Sequence, residues 1–306
     1  MSSTTPLRGQ FQAFDDVWLL NGLRTPFVDY CGALADVNPI DLGIKVAREV
    51  IARSGLGAEQ VDSVLAGNMA PGDFDQFYVP RHIGLYAGVP QHVPALMVQR
   101  ICGTGFELFR QAGEQLGSGL ASLALVVGTE SMSRNPVMAF DHRQGFKLGA
   151  PVNFRDNLWE MLKDPAAGIT MIQTAENLAR EYGITREEVD AFASASFAKA
   201  VAAQESGFLA GEIVPVTSEK FELSGYKTRG IRLSGKAPVA DRDTHPRLSP
   251  PEVLAKLRAV YEGGVQTGGN SSGLTDGAAA ALVANGTVKA AWGRPALARV
   301  AAVAVV

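Results

Sequence analysis

The segment Val98-Gln99-Arg100-Ile101-Cys102-Gly103-Thr104-Gly105-Phe106 joins an apolar, strand-like run to a helix-like one. Residues 93–101 are typical of a strand, and residues 120–127 form a second buried strand further along. Between them, four apolar residues recur at helical spacing: Phe106, Phe109, Ala112 and Leu116. This strand–helix–strand unit predicts an α/β fold, with a mixed, mostly parallel sheet and helices on both faces.

The residues that precede this unit continue the alternation. Residues 16–20 and 61–65 predict strands, and residues 39–53 predict a helix that begins after Asn38 and ends near Gly55. In an open α/β sheet, ligands and catalytic groups collect at the carboxyl ends of the strands. The turn around Cys102 lies at such an end.

Cys102 itself is placed where a reactive thiol would be expected. The unpaired N–H groups and partial positive charge of a helix N-terminus favour the thiolate form. A lone cysteine is more often a small buried hydrophobe, and both interpretations stay open on this pattern alone.

The alternation lapses between about residues 151 and 269, which predicts an inserted, mainly helical loop domain. One helix spans Thr170 to Tyr182 and ends at Gly183, and the capping box that starts at Thr185 opens another that runs to about Glu205. Nine lysine or arginine residues against five acidic ones lie between Glu219 and Arg258, at positions 220, 227, 229, 232, 236, 242, 247, 256 and 258. That patch could hold phosphates or be a solvated loop face.

A glycine-rich turn, Gln266 to Gly277, then leads into a predicted alanine-rich helix from Ala278 to Ala284. The turn could expose backbone donors and small hydroxyls to a ligand. The alternative is a tight connector whose glycines supply left-handed backbone angles.

Composition limits the function classes. The chain has 306 residues, 46% hydrophobic and 19% charged, with a net charge of -3, so no global field attracts nucleic acid or an anionic membrane. The two cysteines are too few for a disulfide framework, and the residues from Met1 to Pro6 lack the apolar core of a signal peptide. The longest nearly unbroken apolar run is too short for a bilayer span. We therefore expect a reducing, cytoplasmic setting.

The Ala- and Val-rich run from Ala296 to Val306 is typical of a buried strand. Because domains rarely finish in mid-core, this pattern predicts that a second half is missing.

Three motifs occur together in order: the Cys102 turn, Gly128-Thr129-Glu130-Ser131-Met132-Ser133, and Gly269-Asn270-Ser271-Ser272-Gly273. In this combination the chain resembles the thiolases, acyl-CoA acetyltransferases that cleave 3-ketoacyl-CoA with CoA or condense two acyl-CoA molecules. Further matches extend the resemblance over about residues 16–306: Arg24 to Phe27, Thr174 to Asn177, and Thr275 to Ala280.

The resemblance implies a thiolase-like layered fold. Its expected parts are a first N-terminal section (12–150), the loop domain (151–269), a return to the N-terminal domain (270–295) and the start of a missing C-terminal domain (296–306). It also implies coenzyme A thioesters as substrates, no metal or bound cofactor, no nucleic-acid or membrane partner, and a homo-oligomer or a complementing C-terminal half.

The resemblance also assigns site residues. Cys102 would carry the acyl group as a thioester. Ser272 would contact the pantetheine arm of CoA, and Met171 would line that pocket. Arg247 aligns loosely with an arginine near the CoA phosphates.

The chain departs from the thiolase pattern in what it lacks. The family's GHP histidine, CGG cysteine and NEAF asparagine are absent, so we expect acylation of Cys102 without efficient condensation or thiolysis. Thr104, Thr129 and Thr170 replace the usual serine, glycine and histidine. The four histidines, His82, His92, His142 and His245, are expected to be surface or packing residues, and Cys31 a structural one.

Two other classes stay open. One is a non-catalytic CoA-binding or assembly subunit with the same fold. The other is a condensing enzyme of the ketoacyl synthase kind, against which the Gly269–Gly273 turn and the Glu130–Ser133 run argue.

Overall fold

The computed structural model describes residues 9–140, 142–235 and 237–306. The residues from Met1 to Pro6, from which we inferred the lack of a signal-peptide core, lie outside the described residues, as does Lys236 of the basic stretch.

The strands are β1 (Gln10–Ala13), β2 (Trp18–Arg24), β3 (Val28–Asp29), β4 (Ser63–Gly67), β5 (Ala95–Met97), β6 (Leu123–Ser131), β7 (Val137–Ala139), β8 (Phe154–Asp156), β9 (Lys163–Asp164), β10 (Ile169–Thr170), β11 (Val216–Thr217), β12 (Glu219–Phe221), β13 (Arg229–Ile231), β14 (Val239–Ala240), β15 (Thr275–Ala284), β16 (Ala298–Arg299) and β17 (Ala302–Val305). The helices are α1 (Pro39–Ser54), α2 (Val79–Tyr86), α3 (Thr104–Gly117), α4 (Asn157–Glu160), α5 (Met171–Tyr182), α6 (Arg186–Glu205), α7 (Pro251–Leu254) and α8 (Gly286–Trp292).

The central sheet has seven strands in the order β16-β2-β15-β6-β4-β5, with β3 also paired to β15. The predicted mixed sheet is confirmed, but the expectation of mostly parallel strands is wrong. Within the described residues β4 pairs in parallel with β5 and β6, whereas the pairs that involve β15 or β16 are antiparallel. The cause is β15, a strand from late in the chain that lies between β2 and β6 and runs antiparallel to both.

The alanine-rich run 278–284, predicted as a helix, is the long central strand β15. It pairs with β6 along nine residues and with β2 along six. Leu282 and Val283 are completely buried, on opposite faces of the sheet. Helix propensity favours alanine by only about 0.5 kcal/mol per residue, and ladder pairing with burial on both faces outweighs it.

Helices cover both faces of the sheet. On one face α1 packs on β15, β6 and β2, and on the other α3 packs on β6 and β4. The predicted ends of α1 are confirmed, because the Asn38 side chain accepts the Ile40 N–H and Gly55 closes the helix with φ 74°. These two layers enclose the larger core under α1 and a smaller one under α3.

Residues 151–269 add no strand to the central sheet in the part of the chain that the structure describes. The predicted capping box at Thr185, which starts α6, is confirmed, as is the end of α5 at Gly183; the structure adds a capping box at Thr170. The segment is nevertheless not a separate packing unit, since Val214, Phe221 and Ile231 belong to the core under α1. The domain limits therefore stay a prediction.

The run from Ala296 to Val306 is not the single buried strand that its composition indicates. It forms β16, which pairs with β2 and is the edge strand of the central sheet, and β17, which pairs with β1 in a separate two-stranded ribbon. Ala302 and Ala304 are exposed, because no further layer of the described residues covers that ribbon. None of the described helices is both long and apolar enough to cross a bilayer.

Candidate active site

Cys102 lies in the tight turn between β5 and α3, two residues before the helix begins, and its side chain is exposed. Ile101 beside it has φ 46°, a left-handed conformation that a β-branched residue adopts only under strain. The turn is closed by the Gly103 N–H, which donates to Arg100 O at 2.9 Å, and by Thr104 Oγ1, which donates to Ile101 O at 2.6 Å. The thiol is therefore presented to solvent by a fixed turn at the start of a helix.

A buried carboxylate on α3 anchors this turn. Glu107 accepts hydrogen bonds from Arg110 Nε at 2.9 Å, Arg100 Nε at 2.8 Å and Gln111 Nε2 at 3.0 Å. The bonds from Arg110, with those from Gln111 and Arg100, outweigh burial and lower the pKa of Glu107 to about 2. Glu107 is thus ionised at neutral pH and holds Arg100 in place.

A second carboxylate lies two strands away from the Cys102 turn. Glu130, near the end of β6, accepts the Met69 N–H at 2.8 Å and the Asn68 amide at 3.1 Å. Burial, partly offset by backbone hydrogen bonds from Met69 and Ala70, raises the pKa of Glu130 to about 7. Met69 O in turn accepts from Gln99 Nε2 at 2.8 Å.

A cavity of about 430 Å³ opens between α6 and the glycine-rich turn. Its wall combines aromatic side chains with small polar groups: Phe27, Phe192, Ser196, Phe197, Asp243, His245, Asn270, Ser271, Ser272 and Thr275. Such a mixture of apolar surface and a few polar groups is typical of a small-molecule site.

His245 lines this cavity, and its ring packs 5.7 Å from the Phe197 ring, so its expected role in packing stays a prediction. Its Nδ1 lies 2.7 Å from Asp29 Oδ1, a residue distant in sequence. A Cβ on Gly273 would approach the His245 ring to 2.6 Å, so glycine is required for the turn to pass that close. The only sequence signal was the run Asp243-Thr244-His245-Pro246-Arg247, whose partners could not be identified before the fold was known.

The predicted site residues are only partly brought together. Ser272 lines the cavity, and the Arg247 guanidinium stacks over the Phe197 ring at 5.6 Å. Met171, at the first turn of α5 and half-exposed, and Cys102 are not among the residues that line it. The roles of all four residues stay predictions.

The remaining candidates are accounted for individually. His82 stacks on Tyr78, His142 stacks on Phe146, and His92 is exposed, as expected of surface or packing residues. Cys31, expected to be a structural residue, is exposed and has φ 60°, and its backbone N–H donates to Ser133 Oγ.

The basic stretch is not uniformly available for phosphate. Arg229 is committed to Asp41 at 2.7 Å and to Asp75 at 2.6 Å. Among the described residues no group of three or more His, Cys, Asp or Glu side chains could hold a metal ion.

Comparisons with known proteins identify a matching family model and similar proteins. Residues 17–287 match the family model for the thiolase N-terminal domain. The chain is 35% identical over 271 residues to the mitochondrial 3-ketoacyl-CoA thiolase of Bos taurus, covering 88% of this chain and 65% of that protein. It is 36% identical over 297 residues to an acetyl-CoA acetyltransferase of Pseudomonas aeruginosa, covering 94% and 71%.

Solved structures agree with the sequence comparisons. The crystal structure of human mitochondrial 3-ketoacyl-CoA thiolase in complex with CoA superposes with a TM-score of 0.84 at 33% identity, covering 93% of this chain and 68% of that one. The chain thus spans about 65% of the length of the first of these curated relatives.

Proposed function

Because this chain belongs to the thiolase family, we propose that it is an acyltransferase that accepts an acyl group from a CoA thioester on Cys102. The observation that carries the proposal is the exposed Cys102 thiol on a strained turn at the N-terminus of α3, inside the region matched by the family model. An exposed thiol at that position is better placed to react as a nucleophile than to pack in the core.

The proposed step replaces one thioester with another. The Cys102 thiolate forms a bond to the thioester carbonyl carbon, and the bond from that carbon to the CoA sulfur breaks. The CoA thiolate leaves with the electron pair. Backbone N–H groups at the start of α3 favour negative charge nearby.

The cavity beside α6 is the proposed site for CoA. Ser272 supplies a hydroxyl for the pantetheine amides, and Phe197 with Arg247 offers a surface for the nucleotide end. One solved relative is a complex with CoA, which supports CoA as the class of ligand. The acyl chain length and the direction of the reaction are not part of the proposal.

Mass spectrometry after incubation with acetyl-CoA tests the proposal. We expect a thioester on Cys102 in the wild type and in Cys31→Ser, and none in Cys102→Ser. Ser272→Phe, which fills the cavity, is expected to abolish labelling by acetyl-CoA but not by iodoacetamide. The exposed Ser224→Phe is the matched control and should label normally.

The outcomes separate the candidate functions. CoA binding without any label on Cys102 would contradict acyl transfer and favour the non-catalytic CoA-binding subunit. An assay of acetoacetyl-CoA thiolysis, run in parallel, tests the prediction that the second half-reaction does not proceed efficiently. The cytoplasmic setting likewise stays a prediction.

We also propose that the chain self-associates. Strand β5 is the last strand of the central sheet and pairs on one side with β4. Leu96 on it is 46% exposed, and Phe74 and Phe77 are more exposed still. An open edge beside apolar side chains favours pairing with another chain.

A further inference from the structure

Three segments lie side by side at the carboxyl ends of the parallel strands β5, β4 and β6. They carry the Cys102 turn, the Asn68–Met69 turn and the Thr129–Glu130 end, in that lateral order. The first two approach closely, because a Cβ on Gly67 would lie 2.2 Å from Thr104 Cγ2. The end of β4 therefore packs tightly against the start of α3, beside the Cys102 turn.

Hydrogen bonds connect the three segments in series, from Glu130 to the Asn68–Met69 turn and from that turn to Gln99. The Asn68 amide, 2% exposed, donates to Thr129 O at 2.9 Å and to Glu130 Oε1 at 3.1 Å. The Met69 N–H donates to Glu130 Oε2 at 2.8 Å, and Met69 O accepts from Gln99 Nε2 at 2.8 Å. Gln99 precedes Cys102 by three residues.

We propose that Glu130 is a positioning residue for the Cys102 turn, acting through the Met69 peptide and the Gln99 side chain. This proposal about Glu130 rests on the proposed function only in that Cys102 is taken as the reacting thiol. Glu130 is not itself placed in contact with the thiol, so its influence has to be transmitted by the two hydrogen bonds at Met69.

The two anchors of the turn differ in their response to pH. Glu107 holds Arg100 with a pKa of about 2 and is ionised throughout the neutral range. Burial raises the pKa of Glu130 to about 7, so Glu130 changes charge within that range. The ionised carboxylate accepts the Met69 N–H more strongly than the neutral acid does.

The charged groups around Glu130 are few. The charge of Asp276, on the neighbouring strand β15, raises the pKa of Glu130, and the pKa of Asp276 is itself raised by burial, which hydrogen bonds from Ser133 only partly offset. Arg134 and Asp73, on the neighbouring segments, pair with each other at 2.5 Å. Because the carboxylates of Asp276 and Glu130 repel each other, Asp276 shifts the pH at which Glu130 ionises. Asp276 does not take the place of Glu130 as the acceptor of the Met69 N–H.

The test is the rate at which iodoacetamide alkylates Cys102, followed by mass spectrometry of the Cys102 peptide between pH 6 and pH 8. Glu130→Gln mimics the protonated side chain. We expect its rate to equal the wild-type rate within about twofold at pH 6 and to be about three- to tenfold lower at pH 8, the range for one hydrogen bond. At each pH the rate of the variant is divided by that of the wild type, so that the ionisation of the Cys102 thiol, common to both proteins, cancels. The exposed Glu59→Gln is the matched control and should follow the wild type at both pH values.

Gln99→Leu tests the route. In that background Glu130→Gln should change the alkylation rate by less than twofold, because the link is already broken. An undiminished effect of Glu130→Gln in the Gln99→Leu background would overturn the proposal, as would a ratio of Glu130→Gln to wild type that does not vary with pH.

If Glu130→Gln does not fold, as judged by its melting curve, Gln99→Leu alone decides. Its rate relative to the exposed control Gln91→Leu must then fall about three- to tenfold between pH 6 and pH 8, and a flat ratio refutes the proposal. Alkylation requires neither CoA nor acyl transfer. A failure of the proposed acyltransferase activity would therefore leave this result standing, and the reverse also holds.

Discussion

Replacement of Arg229 by methionine should destabilise the protein strongly, because this guanidinium neutralises the buried carboxylate of Asp41 and the partly buried carboxylate of Asp75. Arg229 Nε lies 2.7 Å from Asp41 Oδ1, with side chains 14% and 9% exposed, and its NH1 lies 2.6 Å from Asp75 Oδ2. Removal of one partner from such a buried pair costs about 3–5 kcal/mol, since the other charge is left without a counterion. For a chain of 306 residues this corresponds to a melting temperature lower by roughly 5–8 °C.

The pH dependence follows from the two aspartates. Burial, only partly offset by Arg229, raises the pKa of Asp41, whereas hydrogen bonds from Arg229 and Asn38 outweigh burial and lower the pKa of Asp75. Without Arg229 both pKa values should rise. Protonation would then relieve the variant, so the difference in melting temperature from the wild type should narrow as the pH falls from 7 towards 5.

Thermal unfolding followed by circular dichroism measures both effects. Arg232→Met, an exposed arginine three residues away, is the control and should melt within about 1 °C of the wild type. Adding Asp41→Asn and Asp75→Asn to Arg229→Met should recover part of the loss. A variant Arg229→Met that melts with the wild type, or whose deficit grows on acidification, would refute the reasoning.

Three further predictions follow from the turn, its anchor and the sheet edge. Ile101→Gly should leave the melting temperature unchanged or higher, because relief of about 1–3 kcal/mol of strain offsets the flexibility of glycine; a fall as large as that of the exposed control Ile184→Gly would contradict this. Glu107→Gln should be less stable than the wild type to urea at pH 7. That gap should close as the pH falls from about 4.5 towards 2, since the pKa of Glu107 is lowered to about 2, and a gap independent of pH would argue against the ionised anchor. Leu96→Lys should reduce the mass found by light scattering, and Leu297→Lys at the other side of the sheet should not; a monomeric wild type at micromolar concentration would disprove self-association.

Local signals in the sequence predicted the elements whose ends are set by neighbouring residues. Asn38 and Gly55 define α1, Gly183 defines the end of α5, and the capping box at Thr185 defines the start of α6. Each of these ends depends on hydrogen bonds over three or four residues, which a sequence displays directly.

The misjudged elements depend on distant partners. The run Ala278 to Ala284 is a strand only because β2 and β6 lie on either side of it, and nothing in the run itself reveals those neighbours. The same limit applies to the site. The contact between His245 and Asp29 joins residues 216 positions apart, and the strain at Ile101 exists only in the folded turn.

The position of β15 between β2 and β6 also has a consequence for synthesis on the ribosome. After β6 has been made, about 150 further residues must be translated before β15 can enter the gap, which takes roughly 8–30 s at 5–20 residues per second. During that interval the nascent chain carries two long strands whose inner edges have no partner. Chaperone dependence should therefore be greatest while residues 132–274 emerge, and slower translation of that stretch should prolong the exposure of both edges.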